Sequence, residues 1–176
     1  MYLYRELEMD ETDRIKDIDG TCFIKNAWRM NQETGKYELV EINWQDDDLP
    51  NGLGWHVKHL RRTFEHGGTV FGCFDGDLLV GFATLEANPF GSKEQHVLLE
   101  QLYVSKDYRG KGIGRELINL CKEQAKKLNA SRIRLYAGSS EDTIAFYKRV
   151  GCVPAEETNK VLAEIDPNDI QLDLLL

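Results

Sequence analysis

The residues best equipped for chemistry lie between Val97 and Ala125, in VLLEQLYVSKDYRGKGIGRELINLCKEQA. A strand-like run leads through a short polar turn into Arg109, Gly110, Lys111, Gly112, Ile113, Gly114 and Arg115, and an apolar helical stripe follows directly. Glycines at such a turn let backbone N–H groups approach a ligand closely, and the helix start adds partial positive charge. With Arg109, Lys111 and Arg115 as cationic donors, the segment suits a pyrophosphate. Its spelling excludes two familiar phosphate loops. A GxGxxG beginning at Gly110 needs glycine at position 115, where Arg115 stands; a GK[ST] loop needs a hydroxyl residue where Gly112 stands. A nucleotide-phosphate site built on the glycine turn alone stays open as a competing reading. Two other residue sets carry less. Cys22, Cys73, Cys121 and Cys152 are scattered with no CxxC pair, which reads as buried reduced thiols. His56, His59 and His66 allow an i, i+3 metal pair, but nothing nearby in sequence completes it, so they read as solvated or capping histidines.

Elements must hold this turn in place. Tyr2 to Leu7 predicts a short strand, and Glu11 to Phe23, with Asp10 or Thr12 near its start, predicts a helix. From Asn26 to Pro50 the periodicity fades, and Asn31, Gly35, Asp46 to Asp48 and Pro50-Asn51-Gly52 predict a long loop facing the substrate. Leu53, Val57, Leu60 and Phe64 repeat at helical spacing until Gly67-Gly68. Three strand runs follow, Thr69 to Phe74, Leu78 to Leu85 and His96 to Val104, the first two joined at Asp75-Gly76-Asp77. A helix from about Gly112 to Leu128, a strand from Arg132 to Ala137, a helix from Ser139-Ser140 to Gly151 and a tail strand from Asp169 complete the order. The expectation is a single domain over residues 1–176 in the α+β class, a mixed, mostly antiparallel sheet with flanking helices and one βαβ unit in its second half.

Composition narrows the partners. In 176 residues, 22 basic against 30 acidic residues leave a net charge of −8, which argues against a nucleic-acid binder. The apolar runs are too short to cross a bilayer, so no membrane partner is expected. The start, MYLYRELEMDETDR, carries acids where an export signal needs a positive and then an apolar stretch, so a cytoplasmic location is expected.

Arg109, Gly112 and Gly114 resemble the Gln/Arg-x-x-Gly-x-Gly/Ala acyl-CoA signature of the GCN5-related N-acetyltransferases, the GNAT family. Ala145 to Cys152, AFYKRVGC, is similar to the family's later helix, which ends in a Tyr-x-x-x-Gly-Phe phrase; Cys152 stands at the Phe position. The element order agrees as well, so the resemblance spans the chain and implies the GNAT acyl-CoA N-acyltransferase fold. It implies acetyl-CoA as cosubstrate, with its pyrophosphate on the backbone of Arg109 to Gly114. The pantetheine arm would pair along Leu102, Tyr103 and Val104, and the Val104 N–H would receive the oxyanion. An amine attacking a thioester needs a base and an acid for the leaving thiolate. The resemblance places Glu100 on the strand that splays for the cofactor, as general base through a water. In an ideal strand it shares a face with Leu98, Leu102 and Val104. The alternative is a plain surface charge or a partner for a nearby arginine. Tyr147 is the acid, a phenol that stays protonated at neutral pH. Where many members carry an Asn that holds the pantetheine arm, seven residues before the Tyr, this chain has Ser140, a cofactor contact or merely a helix cap.

The acceptor is implied to sit against Phe23 to His66, where Trp28, Trp44 and Trp55 stand among Glu33, Glu38, Glu41 and Asp46 to Asp48. These could stack on and attract a cation, or form a solvated acidic loop. The expected reaction is acetyl transfer to a small cationic amine, such as a polyamine, amino sugar or aminoglycoside-like antibiotic. The alternatives are a lysine side chain or protein N-terminus as acceptor, and a non-catalytic acyl-CoA-binding module. A homodimer is compatible with the resemblance.

Overall fold

Consecutive apolar, β-branched and aromatic residues build the centre of the sheet. β4 (Thr69–Asp75) and β5 (Leu78–Leu85) pair antiparallel, and β5 is buried from Leu79 to Leu85, as a strand covered on both faces must be. The computed structural model describes residues 1–91 and 95–176. With β1 (Leu3–Glu6), β6 (His96–Val104), β7 (Arg132–Ala137), β8 (Cys152–Pro154) and β9 (Ile170–Leu175), these strands form one sheet in the order β1-β4-β5-β6-β7-β9-β8. Among the described residues, β6 and β7 are the one parallel pair of this sheet, joined by a crossover through α2 (Ile113–Lys127). The mixed, mostly antiparallel sheet flanked by helices is the expected class.

Each face of the sheet has its own apolar cluster. On one, Ile113, Leu117, Ile118 and Cys121 of α2 pack with Val80, Leu85, Val97, Leu99, Ile133 and Leu135, while α3 (Glu141–Arg149) adds Ile144 and Tyr147. On the other, Leu60 of α1 (Leu53–Glu65) and Ile15 pack with Val70, Leu79 and Phe82. A six-residue α4 (Lys160–Ile165) precedes β9. Among the described residues no helix is long and apolar enough to cross a membrane.

The structure corrects two expected elements before α1. The helix expected over 11–23 is a 3₁₀ segment, Met9–Asp17, closed by a reciprocal cap between Glu8 and Glu11. The chain is extended again at Ile18, and Cys22 already begins a strand. The expected loop over 26–50 is a two-stranded hairpin, β2 (Cys22–Asn31) and β3 (Lys36–Asp46). Its strands escape a periodicity reading because β3 is exposed on both faces over nearly its whole length and β2 is mostly half-buried, so no apolar–polar alternation of residue types marks them. Asn31 and Gly35, which suggest a loop, make its tip: Asn31 Oδ1 accepts from the Glu33 and Thr34 amides, and Gly35 N–H donates to the Asn31 carbonyl.

Candidate active site

Two parallel strands part at the candidate site. β6 and β7 pair from His96↔Arg132 to Leu99↔Leu135 and no further. Beyond that point β6 stays with β5, through Gln101↔Thr84 to Val104↔Gly81, while β7 stays with β9. The Gln101 N–H donates to Thr84 Oγ1 at 3.0 Å and the Ser105 N–H to the Val80 carbonyl at 2.9 Å, both toward β5. By alternation the N–H groups of Leu102 and Val104 face the gap. The glycine turn closes one end of it. Gly110 and Gly112 hold φ of +75° and +87°, a region that penalises side chains, and a Cβ on either would meet nothing within 4 Å. Open space therefore lies before the first N–H groups of α2, at Ile113, Gly114 and Arg115. Gly114 answers a different need: a Cβ there would stand 3.1 Å from the Phe146 ring and 3.8 Å from Val104. The segment fits a pyrophosphate, with backbone donors in front of a helix of 15 residues and no side chain in the way.

Glu100 stands where the strands begin to part. The β5–β6 register slips between Thr84↔Gln101 and Leu85↔Leu99, so Glu100 is the extra residue of a β-bulge. The bulge overturns the ideal alternation: Glu100 and Gln101, neighbours in sequence, both reach α1, while Leu102 and Val104 join the opposite cluster. Glu100 Oε1 accepts from Arg62 at 2.6 Å and meets His59 Nδ1 at 2.9 Å. Its other oxygen, Oε2, is buried with no partner among the described residues. The ion pair with arginine, weighed above as an alternative, is thus present, and it occupies only half of the carboxylate. His59 is fixed in turn by stacking on Trp55 at 3.7 Å. The Gln101 amide end meets His56 Nδ1 at 2.6 Å, and His56 Nε2 donates to the Pro50 carbonyl at 2.7 Å. His56 and His59 are therefore engaged with β6 rather than solvated, and a carboxylate remote in sequence does stand beside His59.

Tyr147 lies on α3 within the apolar cluster shared with α2, 8% exposed, and burial pushes its hydroxyl well above the usual phenol range. Its neighbour Phe146 touches the glycine turn, so α3 and the start of α2 are packed together. On the α1 side, burial, then Asp169 and Asp46, push the Tyr103 hydroxyl up to about 12. Burial, then Asp166, lift Asp169 to about 6. Tyr103 packs edge-on to His56, with ring centroids 5.1 Å apart, so its side chain belongs to the acceptor side while its backbone borders the gap.

Other expected site residues are placed differently. The Arg109 guanidinium is spent on the protein: Nε donates to the Val104 carbonyl at 2.9 Å, and its other nitrogens donate to the Thr21 and Gly20 carbonyls at 2.9 and 3.2 Å. With Ser105 and Lys106, which bond Asp19, it ties the base of the β2–β3 hairpin to the glycine turn. Lys111 lies over the Tyr108 ring at 4.8 Å. Ser140 is a cap: its Oγ accepts from the Thr143 N–H and bonds the Thr143 hydroxyl, and its backbone bridges Ala27 of β2. The three tryptophans form no common cage. Trp28 lies under Lys148, Trp55 holds His59, and Trp44 is exposed and donates to Asp46. Gln101, the Tyr103 side chain, His59 and Arg62 are candidate site residues that sequence reasoning misses, because a bulge and a strand register are what bring them beside Glu100 and α1; Asp169, which acts on the Tyr103 hydroxyl, is another.

The region from β2 to β8, residues 26–152, matches the Acetyltransferase (GNAT) family. Over 138 residues the chain is 35% identical to an uncharacterised N-acetyltransferase of Methanocaldococcus jannaschii, a stretch covering 77% of this chain and 56% of that protein. It is 31% identical over 168 residues to the mycothiol acetyltransferase of Corynebacterium efficiens, covering 88% and 54%. The chain thus spans about half the length of the curated relatives it matches. A structure assigned as a Bacillus anthracis streptothricin acetyltransferase, in complex with acetyl coenzyme A, superposes on the whole of this chain with a TM-score of 0.72 at 19% identity, covering all of both chains, a likeness of fold. A glycine turn opening a helix, parted parallel strands and a match over most of the sequence agree, and the chain belongs to the Acetyltransferase (GNAT) family.

Proposed function

We propose that the protein is an acetyl-CoA-dependent N-acetyltransferase that acetylates a primary amine of a small cationic acceptor by direct attack on the thioester. The observation that carries this reading is the bulge at Glu100, which leaves one buried carboxylate oxygen free where the strands part. Bound acetyl-CoA supplies the activated acetyl group. The glycine turn and the first N–H groups of α2 hold its pyrophosphate, and the gap-facing backbone of Leu102 and Val104 holds its arm as an added strand would be held. Glu100 Oε2 takes the proton of the amine as nitrogen attacks, while Arg62 and His59 fix the carboxylate through Oε1. The Val104 N–H points to where negative charge builds on the acetyl oxygen. Tyr147 gives a hydrogen bond to the departing sulfur. A phenol pushed up by burial is neutral and protonated when the sulfur departs, so its O–H is available to the thiolate as a hydrogen-bond donor.

Acidic groups near Tyr103 favour a cation: Asp46 and Asp169 both act electrostatically on its hydroxyl. Mycothiol and streptothricin, which name two of the similar proteins, are small molecules, in keeping with that size of acceptor. The test is a thermal-shift titration with acetyl-CoA, CoA and ATP, followed by thiol release over polyamines, amino sugars, aminoglycosides and lysine or N-terminal peptides. At a ligand concentration of about 100 times its Kd, acetyl-CoA adds roughly 2.7 kcal/mol to the native state. Stabilisation by acetyl-CoA with release on a small amine supports the proposal; release on peptides alone replaces the acceptor class. Stabilisation without release on any acceptor leaves an acyl-CoA-binding module, and an equal response to ATP overturns the cofactor reading.

A further inference from the structure

Two neighbouring residues at the bulge each bury a polar atom that has no partner among the described residues: Glu100 Oε2 and the Gln101 amide nitrogen. Gln101 is 3% exposed. The way its amide is turned conflicts with its neighbour. His56 is fully buried, and its Nε2 faces the Pro50 carbonyl, which can only accept, so Nε2 carries a proton. Nδ1 faces Gln101 Oε1, a second acceptor, which asks for a second proton on the ring. A doubly protonated ring is a cation, and one sealed from water between two neutral acceptors is costly. Half a turn of the Gln101 amide about its last bond removes the conflict without changing its shape, because the oxygen and nitrogen ends are nearly the same size. The amide nitrogen then donates to the Nδ1 lone pair of a neutral His56. The buried atom left without a partner becomes Oε1, an acceptor.

We propose that Gln101, oriented by His56, is a substrate-binding residue whose carbonyl oxygen joins Glu100 Oε2 in receiving two N–H groups of the attacking nitrogen. The inference deepens the amine-acetylation reading and rests on it. Both side chains reach the α1 side of the bulge, where α1 presents His56 to Gln101 and His59 to Glu100 from successive turns, and each keeps one buried end unpartnered among the described residues. As the N–C bond forms and the C–S bond breaks, one N–H proton passes to Glu100 and the other stays on nitrogen, held by Gln101. A nucleophile with a single hydrogen, such as a hydroxyl, a thiol or an N-methylamine, leaves one buried acceptor unmatched. The pair therefore selects primary amines.

Three measurements test this. Histidine nitrogen NMR of the wild-type protein is expected to show His56 with Nε2 protonated and Nδ1 bare. A ring protonated on both nitrogens overturns the proposal. With the best acceptor of the amine panel, the wild-type enzyme is expected to use its N-methyl derivative at least about tenfold less efficiently in kcat/KM. Equal use of the two overturns it. In Gln101→Leu the KM for that amine is expected to rise about tenfold while the KM for acetyl-CoA stays within about twofold; an unchanged amine KM overturns it. Should that variant fail to fold, the first two measurements decide without it. Thiol release with no amine at all sinks the reading on which the proposal rests, and the His56 pattern still reports how Gln101 is turned.

Discussion

The two halves of the proposed site are built by different means. The half proposed for the cofactor is backbone: N–H groups of Leu102, Val104 and the start of α2, with Gly110 and Gly112 keeping side chains out of the way. It occupies one continuous stretch of chain, and its chemistry needs few particular side chains. The acceptor half is made of side chains gathered from α1, the β6 bulge, the hairpin and the segment before β9: His56, His59, Arg62, Glu100, Gln101, Tyr103, Asp46 and Asp169. Arg109, by motif a cofactor residue, fastens one half to the other through the Gly20 and Thr21 carbonyls. A backbone site tolerates sequence change as long as the glycines stay, so a family can keep its cofactor while its acceptor varies. A side-chain site is rewritten by a few substitutions.

If the halves are separable, substitutions in each leave the other's constants alone. Glu100→Gln is expected to cost the most. Losing the base lowers kcat by about 100-fold or more, with the Kd for acetyl-CoA unchanged in a fluorescence or calorimetric titration. A parallel loss of acetyl-CoA affinity would break the separation. In the cofactor half, Gly112→Ala forces a side chain into φ of +87°, a strain of about 1 to 2 kcal/mol, and sets a methyl in the open space before α2. Acetyl-CoA binding is expected to weaken about tenfold with the acceptor KM unmoved. Tyr147→Phe removes a donor and little volume. Turnover is expected to fall about tenfold with acetyl-CoA affinity retained, and unchanged turnover would remove Tyr147 from the chemistry.

The same contrast decides how much could be read from the sequence. The glycine turn is legible because its function lies in consecutive residues whose types are unusual, and the helices with clean stripes, α1 and α2, follow from apolar spacing. The β2–β3 hairpin is not, since Tyr37, Leu39, Val40 and Trp44 sit exposed among charged neighbours and leave no face to detect. Glu100 is identified as a residue, but its surroundings are not. An ideal strand turns it toward Leu102 and Val104, and only the slipped register between Thr84 and Leu85 turns it toward Arg62 and His59. A single extra residue in one strand thus turns Glu100, the proposed base, to the α1 side, a shift that no local spacing of LLEQLYV records.

The smallest expected effect tests whether charge on the acceptor half is held there against stability. Burial, then Asp166, lift the Asp169 carboxyl to about 6, above the roughly 3.9 of an unfolded aspartate. The folded state therefore binds this proton more tightly than the unfolded chain does. The stability tied to it is fully present below about pH 4 and is lost as pH rises through about 6, where the buried group must ionise. Above that range the ionised Asp169 costs about 1 to 2 kcal/mol once solvent screening of a partly exposed group is allowed for. Asp169→Asn keeps the shape and removes the charge. Its Tm is expected to exceed that of the parent protein by a few degrees at about pH 8, with the difference shrinking as the pH falls toward 4. A constant difference across that range would show that the carboxylate ionises without strain. On the proposed reading, the negative charge of Asp169 acting on Tyr103 is what a cationic acceptor would neutralise, so Asp169→Asn is also expected to raise the KM for the amine and not that for acetyl-CoA. An acetyl-CoA KM that moved with it would place Asp169 in the backbone half of the site and erase the division between the two.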